Sequence, residues 1–241
     1  MTSLAAATKV VGDRGIPTVI MDNGLRRLFF PPEKLVARYV SRGQVVADMG
    51  CGPGFFALPI AKIVRGSPSS ESSSNAGKVY AVDFDSKSIE KLKIKAVKRG
   101  YAEIIEARVS SASKVNFIPS ASLDFVFANG LLCCMNDHLG AVQEINRILK
   151  KGTGKAYLSV SKYLLRNDPR SVTKEEWQRL LSENFAVLKE GEGLFSRWAL
   201  VSPSGRDIDE SLPNGQEEKG QEEGKQTGQR FIESCSCCAS P

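Results

Sequence analysis

Val45-Val46-Ala47-Asp48-Met49-Gly50-Cys51-Gly52-Pro53-Gly54-Phe55-Phe56 is the stretch on which the fold turns. Residues 44–49 form a short run with two β-branched residues, Val45 and Val46, an acid next to its end, and a glycine cluster directly after it. Residues 55–64 are apolar and lack turn residues apart from Pro59, which falls in the first turns, where proline is best tolerated in a helix. The spacing therefore predicts a buried strand, a glycine loop and a helix. Glycines at 50, 52 and 54 exceed what a plain strand-to-helix turn requires. Without Cβ atoms, such a turn can press its N–H groups and the helix N-terminus against a ligand.

Outward from this stretch, strands and helices alternate. Residues 78–82 read as a second strand ending at Val82-Asp83-Phe84-Asp85. Ser86, or Asp85 before it, caps a helix with Ile89, Leu92, Ala96 and Val97 at helical spacing. Residues 104–109 read as a third strand and 123–128 as a fourth. Asp137 or His138 opens a helix with Leu139, Val142, Ile145 and Leu149 on one face, closed by Gly152. Residues 155–160 are a fifth strand. Thr173-Lys174-Glu175-Glu176 has the form of a capping box ahead of Trp177, Leu180 and Leu181. Residues 185–189 and 195–201 read as two final strands, separated by Gly191-Glu192-Gly193 in a hairpin. Upstream, Pro31-Pro32 starts a helix that buries Leu35, Val36, Tyr39 and Val40. This alternation implies a mostly parallel sheet with right-handed crossovers.

Asp83 follows Gly54 by 29 positions (83 − 54), and by 17 once the 12-residue Ser-rich stretch 66–77 is set aside as a loop insertion. In nucleotide-binding α/β folds, an acid about 20 residues past the glycines accepts hydrogen bonds from ribose hydroxyls. On these residues the sequence resembles a small, single-domain class I S-adenosylmethionine-dependent methyltransferase over 21–202. The family's first motif is an acid at the strand end followed by Gly-x-Gly-x-Gly, here Asp48, Gly50, Gly52 and Gly54. The resemblance implies a Rossmann-like, doubly wound α/β fold with a mostly parallel seven-stranded sheet and a C-terminal antiparallel hairpin. It implies S-adenosylmethionine as cofactor. Asp48 and the backbone of Gly50, Cys51, Gly52 and Gly54 would cradle its methionine part, Asp83 would hold the ribose and Phe84 would line the adenine. Asn129-Gly130-Leu131-Leu132 matches the family's loop beside the sulfonium and substrate, and Met21, Asp22 and Asn23 fall where an N-terminal segment covers the site. One departure stands out: the acid usual after the third strand is absent from Ala107-Arg108-Val109-Ser110-Ser111-Ala112-Ser113, leaving Ser110, Ser111 or a backbone group to replace it.

Two rival functions share this fold. A nicotinamide-dependent oxidoreductase would need Gly-x-Gly-x-x-Gly, and Phe55 stands where the third glycine belongs. A Tyr-x-x-x-Lys pair is also missing, since Tyr157 is followed by Ser161 and Tyr163 by Asn167. A non-catalytic S-adenosylmethionine-binding module is the second rival, and the missing acid favours it. No residue stands out as catalytic, which suits a reaction whose leaving group is already activated. The absence of Asn-Pro-Pro-Tyr after the fourth strand disfavours methylation of nucleobase or glutamine amino groups, and the apolar loop there points to a small-molecule acceptor.

The 241 residues carry 33 basic and 27 acidic side chains. The span from Ser204 onward holds eight acids against four bases, so the remaining body is near +10. That charge leaves an anionic acceptor or nucleic acid as an alternative, and the resemblance also implies protein as a possible acceptor class. The domain is expected at 21–203, after a flexible arm at 1–20 and before a disordered acidic tail at 204–241. The six cysteines fall at 51, 133, 134, 235, 237 and 238, without a secreted disulfide framework. No apolar run approaches the roughly 20 residues of a membrane helix, so a cytoplasmic protein without membrane contact or resident metal is expected. Its oligomeric state is left open. Cys133-Cys134 reads either as buried small hydrophobes or as thiols acting on substrate or a soft metal. The sole histidine, His138, reads as a helix-start residue or a base.

Overall fold

The computed structural model describes residues 13, 31–66, 77–162 and 170–204, all within one compact unit, 1–206. The expected arm, the Met21-Asp22-Asn23 lid, the tail with its three cysteines and most of the Ser-rich insertion lie outside the described residues. The elements in chain order are α1 (Pro32–Val36), β1 (Val45–Met49), α2 (Ala57–Arg65), β2 (Lys78–Asp83), α3 (Ser86–Lys98), β3 (Ile105–Val109) and β4 (Phe125–Asn129). A 3-10 turn at Leu132–Cys134 leads into α4 (His138–Ile148), β5 (Lys155–Ser161), α5 (Lys174–Asn184), β6 (Phe185–Glu192) and β7 (Ser196–Pro203).

The seven strands form one sheet in the order β3-β2-β1-β4-β5-β7-β6. β1 to β5 run parallel, and β7 enters antiparallel between β5 and β6. Side chains alternate across β1. Ala47 and Met49 pack with Val82, Val126 and Leu158 against α4 and α5, which contribute Val142, Ile145, Trp177 and Leu181. Val46 packs with Val79, Ala81, Phe125 and Phe127 against α1, α2 and α3, which contribute Val36, Ile60, Val64, Ile89 and Leu92. Asp48 shares the Val46 face of the strand, so its carboxyl is carried into the layer that α2 covers. The chain winds outward from β1 through β2 to β3, then returns to β1's other side with β4. The crevice for a ligand therefore opens at the carboxyl ends of β1 and β4.

Of the two candidate caps of α3, the structure uses Asp85, whose carboxylate accepts from the N–H groups of Lys87 and Ser88; Ser86 is the first helical residue. Several local expectations are corrected. Val97 is 67% exposed because the buried stripe of α3 runs through Ile89, Leu92 and Ala96 instead. On α4, Leu139 faces solvent and the stripe is Ala141, Val142, Ile145 and Ile148. That helix stops at Ile148 rather than Gly152, since Leu149 turns extended to bridge Leu123. Helix α1 is a single turn ending at Val36. Gly191 and Glu192 belong to β6, paired with Trp198 and Arg197. A Cβ at Gly191 would stand 2.6 Å from the Trp198 ring, so close packing, not a turn, requires glycine there.

Candidate active site

The glycine loop is held by its own strand neighbours. The N–H groups of Gly50 and Cys51 both donate to the Val82 carbonyl, at 2.8 and 3.0 Å, and Gly54 N–H donates to the Cys51 carbonyl. Gly52 N–H donates to Asp83 Oδ2 at 2.7 Å. Lys95 Nζ, from α3, reaches the Pro53 carbonyl at 3.1 Å. The loop N–H groups expected to face a ligand thus already have partners inside the protein. What the glycines contribute is room and backbone freedom. Gly50, Gly52 and Gly54 have φ of +78°, +50° and +95°, values that L side chains adopt rarely. A Cβ at Gly54 would lie 2.6 Å from Leu92 Cδ1, and one at Gly50 would lie 3.0 Å from Leu131 Cδ1. The Gly50 contact shows that the segment after β4 packs directly on the loop.

Two carboxylates meet beneath this cradle. Asp83 uses one oxygen for Gly52 N–H and the other for Asp85 N–H at 2.9 Å. Each oxygen keeps a second acceptor position. Burial pushes its pKa up, against the pull of those backbone donors. Asp48 is only 2% exposed. Burial first, and the nearby charge of Asp83 second, push its pKa up to about 7, against a hydrogen bond from the Ala57 backbone N–H at the start of α2. Its Oδ2 is buried without a hydrogen-bond partner among the described residues. An orphaned buried carboxylate oxygen is costly unless a donor arrives. A cationic ligand that also carries hydroxyls and a flat ring fits this set: a charge for Asp48, hydroxyl donors for Asp83, and the face of Phe84, which is 42% exposed beside it.

The other expected residues fall as follows. Cys51 turns its side chain into the core, with Sγ 3.5 Å from the Gly52 carbonyl, so only its backbone faces the loop. Asn129 ends β4, and its Oδ1 accepts from Ser159 Oγ at 2.8 Å. Gly130 N–H donates to the Ser159 carbonyl and hydroxyl. Ser110 donates to the Lys114 carbonyl, and Ser111 pairs with Ser113. These serines therefore close their own turn beside β3. Past Asn129, Leu132, Cys133 and Met135 are buried. Asp13 Oδ1 accepts from the backbone and side-chain nitrogens of Asn136, which brings one N-terminal residue to this segment. His138, at the start of α4, is 7% exposed and holds Glu176 of α5 at 2.8 Å through Nδ1. That pair takes Glu176 away from the expected capping box, leaving only the bond from its N–H to Thr173 Oγ1. Among the described residues no group of three or more His, Cys, Asp or Glu side chains is placed to hold a metal ion. No described helix is long and apolar enough to cross a membrane.

Residues 47–157 match the family described as a methyltransferase domain. No curated protein sequence matches the chain. Among solved structures, a SAM-dependent methyltransferase from Aquifex aeolicus is similar with a TM-score of 0.63 and 22% identity, over 76% of this chain and 95% of that one. The PH0226 protein from Pyrococcus horikoshii OT3 gives 0.61 and 19%, over 78% and 96%. The [4+2]-cyclase SpnF gives 0.54 and 23%, over 66% and 57%. At these identities the structural likeness speaks to the fold. The domain match covers the strand, glycine loop and acids described above, and the seven-stranded topology agrees with it; together they support a class I S-adenosylmethionine-dependent methyltransferase, with S-adenosylmethionine as the cofactor implied.

Proposed function

We propose that this methyltransferase acts on a small, apolar acceptor bound beside the segment after β4. The observation that carries the reading is the character of that segment. Leu131 lies against Gly50, and Leu132, Cys133 and Met135 follow it without a charged side chain. A phosphate-rich or strongly charged acceptor would find no complement there.

S-adenosylmethionine supplies a methyl group already activated on a sulfonium, so placement is the protein's main contribution. In this reading Asp48 offers its unpartnered oxygen to the cationic methionine end of the cofactor. The backbone of Gly50, Cys51, Gly52 and Gly54 gives the space for it, and Asp83 accepts from the ribose hydroxyls. Phe84 covers one face of the adenine. Asn129, fixed by Ser159, holds the chain at the transfer point. The contact of Asp13 with Asn136 supports a covering role for the N-terminal segment. The reading keeps 21–203 as the catalytic domain, with an insertion at 66–77 and an appended tail at 204–241. It also keeps a cytoplasmic setting.

The test is transfer of labelled methyl from S-adenosylmethionine to a cell extract, followed by separation into small-molecule, protein and nucleic-acid fractions. Label in the organic-soluble small-molecule fraction is the expected result. Label confined to nucleic acid or protein overturns the acceptor assignment, and the basic body makes nucleic acid the rival to watch.

A further inference from the structure

The turn that seats Leu131 against Gly50 holds two adjacent thiols that the methyl-transfer reading leaves unused. Cys133 is 2% exposed, and its Sγ lies 3.2 Å from the Gly130 carbonyl. Cys134 is half-buried beside it. A hydrogen bond from the Cys134 thiol, then the Ser161 backbone and the charge of His138, draw the Cys133 pKa down to about 6 against the effect of burial. Independently of that, His138 is more than nine-tenths buried, Glu176 holds its Nδ1, and its Nε2 has no partner among the described residues. The imidazole and its orienting carboxylate therefore act on the thiol pair through charge, with no hydrogen bond joining His138 Nε2 to either sulfur.

We propose that Cys133 and Cys134 form an oxidation site that a hydroperoxide converts to a vicinal disulfide, and that closing it loosens the turn behind Gly50. The Cys133 thiolate attacks the peroxide: an S–O bond forms, the O–O bond breaks, and the departing oxygen leaves with a proton as water or alcohol. Sulfur is oxidised to a sulfenic acid and the peroxide is reduced. Cys134 then attacks that sulfur, so that an S–S bond forms, the S–O bond breaks, and hydroxide leaves with the Cys134 proton as water. A resolving thiol next in sequence favours this outcome over further oxidation.

Geometry makes the product a disturbance. Adjacent Cα atoms are about 3.8 Å apart across a trans peptide, whereas disulfides usually span about 4.4–6.8 Å. The 3-10 turn is held by Cys134 N–H to the Leu131 carbonyl at 2.9 Å and Met135 N–H to the Leu132 carbonyl at 3.4 Å. Ring closure has to distort those bonds, and Leu131 transmits the distortion to the glycine loop. The oxidation stands on the thiol cluster alone; its effect on the cofactor rests on the proposed function.

The full-length chain carries a convenient readout. Trypsin releases Val115–Arg147, which has no internal Lys or Arg and contains only these two cysteines. After mild peroxide and alkylation, this peptide is expected to lose two hydrogens (about 2 Da), reversibly with dithiothreitol. In Cys134→Ser, dimedone is expected to trap a sulfenic acid on Cys133. Cys133→Ser is expected to give no adduct at Cys134. Calorimetry should show S-adenosylhomocysteine binding at least about tenfold weaker to the oxidised than to the reduced chain, the loss that about 1.4 kcal/mol of distortion produces. A Val115–Arg147 peptide that stays reduced while Cys235, Cys237 and Cys238 oxidise overturns the site, as does an adduct on Cys134 alone. Equal affinity of the two forms overturns the coupling. Failure of the reduced chain to bind refutes the cofactor assignment, while the peptide result still decides the oxidation.

Discussion

Asp48→Asn separates the cost of the site from its use. The carboxyl is buried, faces Asp83, and has a pKa raised from 3.8 to about 7. A folded-state pKa above the unfolded value means that the folded chain binds more protons between those limits. Stability contributed by this group is therefore lost as pH rises from about 4 to about 7. A shift of about 3 units corresponds to about 4 kcal/mol once both states are ionised. Asparagine keeps the shape and an acceptor for the Ala57 N–H, and it removes the charge. Urea denaturation of wild type and variant should give nearly equal stabilities at pH 4, with the variant gaining progressively to about 4 kcal/mol at pH 8. Taking the difference cancels the opposite trends from Asp85, Glu106 and Glu144, whose pKa values are lowered by Ser88, Lys78 and Arg147. The same variant should bind S-adenosylhomocysteine about 10- to 100-fold more weakly, because a charge-assisted hydrogen bond of roughly 1.5–3 kcal/mol is lost. A stability difference that does not change with pH, or a variant less stable at pH 8, would refute the reasoning. So would unchanged affinity.

Three further outcomes follow from the same geometry. S-adenosylhomocysteine affinity for the wild type should strengthen as pH rises from 6 to 8, because ionised Asp48 is the form that pairs with a cation; calorimetry giving a flat or falling profile would contradict this. Gly54→Ala combines a φ of +95° with a Cβ 2.6 Å from Leu92 Cδ1, and should lose roughly 2–4 kcal/mol; an unchanged melting temperature would show that the loop is not locked. Arg147 binds Glu144, the Ser120 hydroxyl and the carbonyls of Val115 and Ile118. Arg147→Ala should therefore cost about 2–3 kcal/mol in urea denaturation by freeing the 115–120 segment, without changing cofactor affinity.

The parts legible in the sequence were those written in one short run of chain. Asp48 with its three glycines, the strand ending at Asp83, and the hairpin at the end of the sheet all depend on local geometry. The structure brings these residues together as their types suggest. What stayed hidden was set across long separations or by competition between equals. Two serine- or acid-type residues could cap α3, and the extended backbone at Asp85 decided between them. Leu139 and Val97 fit a helical period, but the sheet selected a face rotated from theirs. Glu176 matched a capping box until His138, 38 positions away, claimed its carboxylate. Asn129 reads as part of a loop beside the ligand; its bond to Ser159 joins the neighbouring strands β4 and β5 and has no local signature. The glycine N–H groups are the instructive case. Glycine identity points to backbone room and donors at the loop, yet Val82 and Asp83, brought alongside by the parallel sheet, have already taken the donors of Gly50, Cys51 and Gly52.

The most direct measurement is calorimetric titration of S-adenosylhomocysteine into the reduced full-length chain and into Asp83→Ala, with NADH titrated in parallel. Saturable one-site binding to the wild type, weakened at least about tenfold in the variant as its hydroxyl-binding oxygens and the Gly52 anchor are lost, with no heat from NADH, is the result predicted. No binding of S-adenosylhomocysteine at millimolar concentration, or equal binding by both chains, would contradict a cofactor site built on the glycine loop and Asp83.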